Sequence, residues 1–444
     1  MGGNTPKLTS IEICAGAGGQ AVGLHAANFR HLALVEIDKH AVQTLRANIK
    51  NKHTKGWKWE RANCKIFDKD VKDFQPFKIL PELEKGKLDL LAGGVPCPPF
   101  SIAGKQLGQD DERDLFPKFL DLVRELEPRA VMIENVRGLK EPADRFRTYR
   151  KGIIKQLREA GYVVCGWEIL EAADFGVPQL RPRAILVAIR KDCHRGFTWP
   201  KGGDFRTKTV FQALDDTMRR RCGIGRYEAP ELKTTEQCNL AEKAYVQWQR
   251  KARNAPVGIA PTLVGGSKIH GGADLGPTRA KKAWEAFGVN GLGVANEKRD
   301  RNFEKDLDRD LLDLNKGIML SVAQAALIQG FPKYWVFEGA KTARYRQVGN
   351  AFPPPVAEAV GRAIAEALGR TGELTQGPIL DDDKYEDVPT QQPLPLGVDD
   401  SVRINGEAAA HRLAVLKQTR ETMVVAGPES ATARYSSLAA TSDR

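Results

Sequence analysis

Residues 88–101 read Leu-Asp-Leu-Leu-Ala-Gly-Gly-Val-Pro-Cys-Pro-Pro-Phe-Ser. An apolar run of strand length ends in Gly93 and Gly94, then in Cys97, fenced by Pro96 and Pro98. The pattern predicts a thiol in a stiff loop at the carboxyl end of a buried strand. Open α/β sheets bind their ligands at that edge. Further on, Arg129 to Glu134 reads as a second buried strand and closes in Glu134-Asn135-Val136. A nucleophile and a carboxylate at one edge of one sheet form the arrangement that covalent catalysis needs. Each feature alone is better read as a structural cysteine or a strand-ending acid, and the surrounding motifs reverse that reading.

Working outward, residues 8 to about 190 alternate short apolar runs with helical patterns. Leu8–Cys14 and His31–Ile37 read as strands; Gly18–Ala27, Lys39–Ile49 and Leu115–Leu126 read as helices. Tyr162–Leu170 and Arg183–Arg190 add two further strands. Such alternation predicts an α/β fold, a mostly parallel sheet with helices on both faces. From residue 192 to 317 glycine, proline and basic residues dominate and periodicity is poor, which predicts a smaller, irregular second domain. Its Lys251, Arg253, Lys268, Arg279, Lys281 and Lys282 suit contacts with phosphates. Helical patterns return at Ser321–Gln329 and Pro353–Leu368. Residues 371–444 are polar and read as a flexible tail with a short helix at Ala408–Gln418.

Composition narrows the function. The net charge of +12 favours a polyanionic partner, nucleic acid first. The 444 residues contain no apolar run of membrane-span length and no signal-peptide core near Met1, so a cytoplasmic protein is expected. Seven cysteines without Cys-x-x-Cys spacing predict neither a disulfide framework nor a metal site.

Ile11–Gly19, IEICAGAGG, has the order strand, glycine turn, helix, which lets backbone approach a ligand at a helix N-terminus. The next strand ends at Glu36, placed to accept from ribose hydroxyls. Asp70, with Asp68 and Asp73 as competitors, follows a possible third strand and is placed for an adenine amino group. No Gly-Lys-Ser/Thr is present to cradle phosphates, so a cofactor with adenine and ribose but no phosphate is favoured. S-adenosylmethionine is one.

Taken in order, these pieces resemble the DNA cytosine-5 methyltransferases. Glu12–Gly19 looks like that family's first cofactor motif, Pro96–Ser101 its nucleophile loop and Glu134-Asn135-Val136 its acid motif. Gln179-Leu180-Arg181-Pro182-Arg183 matches its Gln-x-Arg-x-Arg motif. Gln329-Gly330-Phe331-Pro332 and Tyr345–Ala351 look like its last two motifs. The resemblance implies a Rossmann-like catalytic domain, residues 1–191 completed by 318–370, and a target recognition domain at 192–317. It implies Cys97, Glu134, Arg181 and Arg183 as catalytic residues, with Arg183 the one nearer the base. It places Cys14, Ala15, Gly16, Ala17, Gly18, Gly19, Glu36, Asp70, Asn350 and Ala351 at S-adenosylmethionine. It places Ser101, Gln179, Thr262 and Leu263 at the DNA. Cys14 stands where the family usually has an aromatic ring, and Ala323 and Gln324 where it often has an arginine.

The implied function is methylation of cytosine carbon 5 in duplex DNA by a bacterial, nucleoid-associated monomer paired with a restriction endonuclease. Two alternatives differ in class: a tRNA methyltransferase of the same chemistry, and a non-catalytic DNA-binding protein on the same scaffold.

Overall fold

In a computed structural model of the protein, residues 8–52, 54, 56–96, 114–140, 146–202, 208–265 and 272–369 are described. Cys97, Ser101, the tail beyond residue 370 and the helix expected at Ala408–Gln418 lie outside them.

Seven strands form one sheet: β1 Leu8–Ile13, β2 Phe29–Val35, β3 Lys65–Phe67, β4 Leu90–Gly93, β5 Ala130–Val136, β6 Tyr162–Glu171 and β7 Pro182–Arg190. Their order is β3-β2-β1-β4-β5-β7-β6. All neighbours are parallel except β7, which runs antiparallel to both β5 and β6. The reversed strand has a functional consequence. Its beginning, at Arg183, meets the end of β5 at Val136, so it delivers side chains to the carboxyl edge of the parallel strands.

The central strands are apolar throughout because both faces are covered, as parallel sheets require. Successive side chains alternate faces. Leu91, Val131, Ile133 and Leu186 pack on one side with Phe119 and Leu122 of α5 (Phe116–Leu126) and Leu157 of α6 (Arg147–Glu159). Leu90, Ala92, Met132 and Ile185 pack on the other with Leu24 of α1 (Gly19–Ala26) and Val360 and Ile364 of α13 (Pro354–Gly369). α1 and α13 touch backbone to backbone: a Cβ on Gly23 would stand 2.3 Å from the Pro354 carbonyl oxygen. This contact brings the end of the described chain under its beginning.

Helix starts follow local chemistry. The Asp38 carboxylate accepts from the His40 and Ala41 amides and caps α2 (Lys39–Ile49). α3 (Lys58–Asn63) and α4 (Pro76–Ile79) are short connectors. The 192–317 stretch contains more regular structure than its composition suggests. α7 (Val210–Cys222) opens with a Thr209–Gln212 capping box, and α8 (Thr235–Asn254) runs for 20 residues over Trp248 and Tyr245. α9 (Thr278–Glu285) and α10 (Phe303–Leu307) follow. Their stripes are narrow and interrupted by lysines and arginines, which hid the periodicity. α11 (Val322–Ile328) and α12 (Lys341–Asn350) lead back to α13. Arg221 of α7 donates to Gln324 Oε1 (2.6 Å) and the Met319 carbonyl (2.9 Å), bringing a guanidinium to the place where the chain itself has Ala323 and Gln324.

Candidate active site

Chain order reverses between β1 and β4, and there a cavity of about 450 Å³ opens at the carboxyl ends of the strands. The loop after β1 supplies Cys14, Ala15, Gly16, Ala17 and Gly19 to its wall. Glu36 and Asp70 line it from beyond β2 and β3, Gly94 and Pro96 from beyond β4, and Glu134 from β5. Asn350 and Ala351 close it from the end of α12.

Glu36 is held by three amides: Gly16 N–H donates to Oε2 (2.7 Å), and those of Ile37 and Asp38 to Oε1 (2.9 and 2.7 Å). A carboxylate has about four acceptor directions, so one remains for a ribose hydroxyl. Of the three aspartates considered, Asp70 lines the cavity, while Asp68 pairs with Arg46 at 2.8 Å on the surface. Cys14 sits in the left-handed region with φ 52°, a conformation sidechain-bearing residues rarely adopt outside functional turns. Burial, then the nearby Glu36, push its thiol up, so Cys14 is a small neutral wall residue. Gly18 has another task. With φ 88° it lies against Trp335, whose ring stands 2.8 Å from where a Cβ would be, and it does not line the cavity. Trp335 Nε1 donates to the Ala17 carbonyl (2.9 Å) and pins the loop.

At the other end of the cavity, Arg183 Nε lies 2.9 Å from Glu134 Oε1. Val136 is opposite Arg183 in the antiparallel register, so Glu134 is its diagonal neighbour on the same face. Burial pushes the Glu134 carboxyl up, and the cations Arg183 and Arg181 oppose that rise. A Cβ on Gly94 would stand 3.2 Å from Glu134 Oε2, so the segment leading to Cys97 runs against this carboxyl. Asn135 Nδ2 donates to the Val95 carbonyl (2.8 Å) and fixes the chain two residues before Cys97.

The residues Gln179, Arg181 and Arg183 each make a different junction. Gln179, fully buried, donates to Gln329 Oε1 (2.8 Å) and accepts from the Leu263 amide (2.7 Å). Arg181, also buried, donates to the carbonyls of Leu263 (2.7 Å), Gly349 (2.7 Å) and Ala351 (3.0 Å). Thr262 Oγ1 donates to the Leu180 carbonyl. Gln179, Arg181 and Leu263 are therefore committed to internal contacts that hold the Thr262–Gly265 segment against α12. Of the three motif residues, Arg183 is the one beside Glu134.

Among the further residues that line the cavity are Glu12, Gln20, Ile37 and Arg346. Ile37 is 65% exposed, an apolar side chain at the cavity mouth beside Glu36. Arg346 approaches Asp38 at 3.5 Å. Ile37 follows Glu36 and Arg346 lies within the quoted Tyr345–Ala351 stretch, and only the fold shows that they face inward. Among the described residues no cluster of His, Cys, Asp and Glu could hold a metal ion.

In this doubly wound sheet one switch-point cavity brings Glu36 and Asp70 together with Glu134, which pairs with Arg183. Residues 8–366 match the model of the C-5 cytosine-specific DNA methylase family, and the chain belongs to that family. Among its relatives, the type II methyltransferase M.NaeI of Lentzea aerocolonigenes is 45% identical over 83% of this chain and 77% of its own. The type II methyltransferase M.NgoMIV of Neisseria gonorrhoeae is 42% identical over 82% of this chain and 98% of its own. The solved structure of the Entamoeba histolytica methyltransferase EhMeth matches with a TM-score of 0.51 and 15% identity, covering 82% of this chain and all of that one. That likeness shows the Rossmann-like α/β fold. The protein is a DNA (cytosine-5-)-methyltransferase. No helix among the described residues is long and apolar enough to cross a membrane.

Proposed function

We propose that this enzyme methylates carbon 5 of cytosine within one short duplex DNA sequence, with S-adenosylmethionine as donor and Cys97 as covalent nucleophile. The observation that carries the reading is that one cavity is lined by Glu36 and Asp70 at one end and by Pro96 and Glu134 at the other. A cofactor held by the first pair would face Pro96, which directly precedes Cys97 in the chain. The cavity suits that cofactor: Glu36 keeps a free acceptor direction, and buried polar atoms of Glu12 and Gln20 have no partner among the described residues. Bound there, S-adenosylmethionine would supply a methyl carbon made electrophilic by its sulfonium.

Cytosine carbon 5 is a weak nucleophile. Addition of the Cys97 thiolate to carbon 6 moves the ring electrons toward carbon 5 and makes it enamine-like. Glu134, whose carboxyl is pushed up by burial, donates to ring nitrogen 3 and neutralises the charge that develops there. Arg183 holds Glu134 in place and adds a donor beside the base. Water removes the carbon 5 proton after methylation, the electron pair re-forms the carbon 5–carbon 6 double bond and expels the Cys97 thiolate, and ring nitrogen 3 returns its proton to Glu134. A base in a duplex is out of reach of such a cavity, so the target cytosine flips out. Residues 192–317 serve as the target recognition domain and residues 1–191 with 318–370 as the catalytic one. Thr262 is assigned a place beside the flipped base, as the resemblance implies. The type II relatives favour a role as the modification enzyme beside a restriction endonuclease; the further reading proposed is a monomer at the nucleoid.

Transfer of labelled methyl to unmethylated genomic DNA, followed by bisulfite sequencing, tests the reading. Label confined to cytosines of one short sequence supports it. Cys97→Ser is expected to abolish transfer. DNA carrying 5-fluorocytosine has no removable proton at carbon 5 and is expected to remain bonded to Cys97. Full transfer by Cys97→Ser would overturn the covalent step.

A further inference from the structure

A second cavity, of about 490 Å³, is built between Thr217 and Gln324 and shares no lining residue with the reaction cavity. Residues of α7, α10 and α11 enclose it, together with the segment Asn296–Lys298. Pro230, Phe303, Leu307, Leu311 and Ala323 give it an apolar wall. Small-molecule sites have volumes of about 300–1,000 Å³ and combine such walls with a few placed polar groups.

The polar group that needs a partner is Arg221. Its Nη1 donates to the Met319 carbonyl (2.9 Å) and to Gln324 Oε1 (2.6 Å). A guanidinium carries five N–H groups. The three on Nε and Nη2 have no acceptor among the described residues, and neither nitrogen is sealed off from the cavity that Arg221 lines. The acids of the same wall are already engaged: Asp310 with Arg309 (2.6 Å), Glu297 with Arg344 (3.2 Å) and Glu231 with Lys298. Glu228, the fourth, is exposed to solvent. Burial pulls the guanidinium down from its usual value, and Cys222, Asp310 and Glu297 only oppose the fall. A cation drawn out of water without its own counter-charge is costly, so the cavity suits an anion from outside the chain.

Charge decides which anion. Asp310 and Glu297 are near enough to act on Arg221, so a doubly charged phosphate meets repulsion that a single negative charge largely escapes. A carboxylate also matches the planar fork, accepting two parallel bonds from Nε and Nη2. The apolar wall is left for the rest of the molecule.

We propose that this cavity is a binding site for a small organic monocarboxylate, held by Nε and Nη2 of Arg221, with its apolar body against Phe303, Leu307 and Leu311.

The test is ligand-observed NMR titration of the whole protein with octanoate, 3-phenylpropionate and naphthalene-2-acetate, each beside its primary amide, and with phenyl phosphate. At least one carboxylate is expected to bind with a Kd of about 1 mM or tighter. Its amide and phenyl phosphate are expected to bind at least about tenfold more weakly. Arg221→Met keeps the apolar stem and is expected to weaken the carboxylate by about tenfold or more. Should Arg221→Met fail to fold, Ala323→Leu narrows the cavity from an exposed position. It is expected to weaken the carboxylate about tenfold, with melting temperature and methyl transfer unchanged. Three results would each overturn the proposal: no binding by any carboxylate, equal or tighter binding of the amide or phenyl phosphate, and affinity indifferent to both substitutions.

Discussion

The guanidinium of Arg181 donates to the carbonyl of Ala351, 170 positions away in the chain, over 3.0 Å. The same guanidinium reaches Gly349 and Leu263, so one buried cation fixes the cavity wall and the Thr262 segment together. The planar guanidinium reaches these carbonyls from two separate nitrogens, a span that the single nitrogen of an ammonium lacks. Arg181→Lys is expected to cost about 3–5 kcal/mol of stability, because buried carbonyls and a buried charge lose their partners. Urea unfolding measures this. The KM for the cofactor is expected to rise about tenfold, while kcat falls far less than in Glu134→Gln. A collapse of kcat at unchanged KM and stability would place Arg181 at the base instead.

Glu134 and Arg183 yield a prediction with a definite sign. A general acid must carry its proton, so activity is expected to fall as pH rises through the elevated Glu134 value. Arg183 opposes that elevation. Arg183→Gln removes the nearest opposing cation, so the alkaline limb of kcat/KM is expected to move to higher pH, on a lower plateau. Glu134→Gln is expected to reduce kcat by about 10²–10⁴ while leaving cofactor affinity within about twofold. A limb that stays in place in Arg183→Gln would show that another group sets it.

The sheet was legible because each central strand is buried on both faces and each ends in a motif that the fold needs at one edge. Leu90, Met132 and Val187 are apolar for packing reasons; Glu36, Glu134 and Arg183 are polar for reasons of chemistry, and the contrast is visible in the chain. The order of β7 and β6 was not legible, since antiparallel insertion leaves no local mark on an apolar run. Nor were α7 and α8, whose buried stripes of Leu214, Met218, Tyr245 and Trp248 sit among arginines and lysines. Within the site, Cys14, Ala15, Gly16, Ala17, Gly19, Glu36, Asp70, Glu134, Asn350 and Ala351 line the cavity, while Arg183 stands beside Glu134 and Cys97 and Ser101 lie outside the described residues. Gly18, Gln179 and Leu263 have internal tasks, because a motif records that a residue is needed without saying whether a ligand or a neighbouring segment needs it.

Gly349 shows such a need in its simplest form. A Cβ there would stand 2.4 Å from the Gly265 amide nitrogen and 2.6 Å from the Val264 carbonyl carbon. Both are backbone atoms, so neither can rotate away. Gly349→Ala is expected to push the Thr262–Gly265 segment off α12, and with it Asn350 and Ala351 at the cavity. Cofactor affinity and DNA affinity should both fall, by about tenfold each, in a protein with near-native helix content. Calorimetry for the cofactor and a gel-shift titration for DNA measure the two. Loss of one affinity alone would show that the segment and α12 act independently.

His31 makes the fold itself sensitive to acid. It is fully buried, shares a hydrogen bond with Ser10 Oγ at Nδ1 (2.9 Å), and donates from Nε2 to the Ala21 carbonyl (2.9 Å). Burial lowers its value from 6.5 to about 4; Glu60 opposes the fall, while His25 and Arg30 add to it. Between pH 6.5 and 4 the unfolded chain binds a proton that the folded one refuses. Stability is thus fully present above pH 6.5 and is lost as pH falls toward 4. The loss from this one group is about 3 kcal/mol at most. His31→Gln keeps a donor and an acceptor but does not titrate. Urea unfolding at pH 7 and pH 4.5 is expected to show a smaller difference in the variant than in the wild type. An equal difference in both would mean that the acid sensitivity resides in the carboxylates instead.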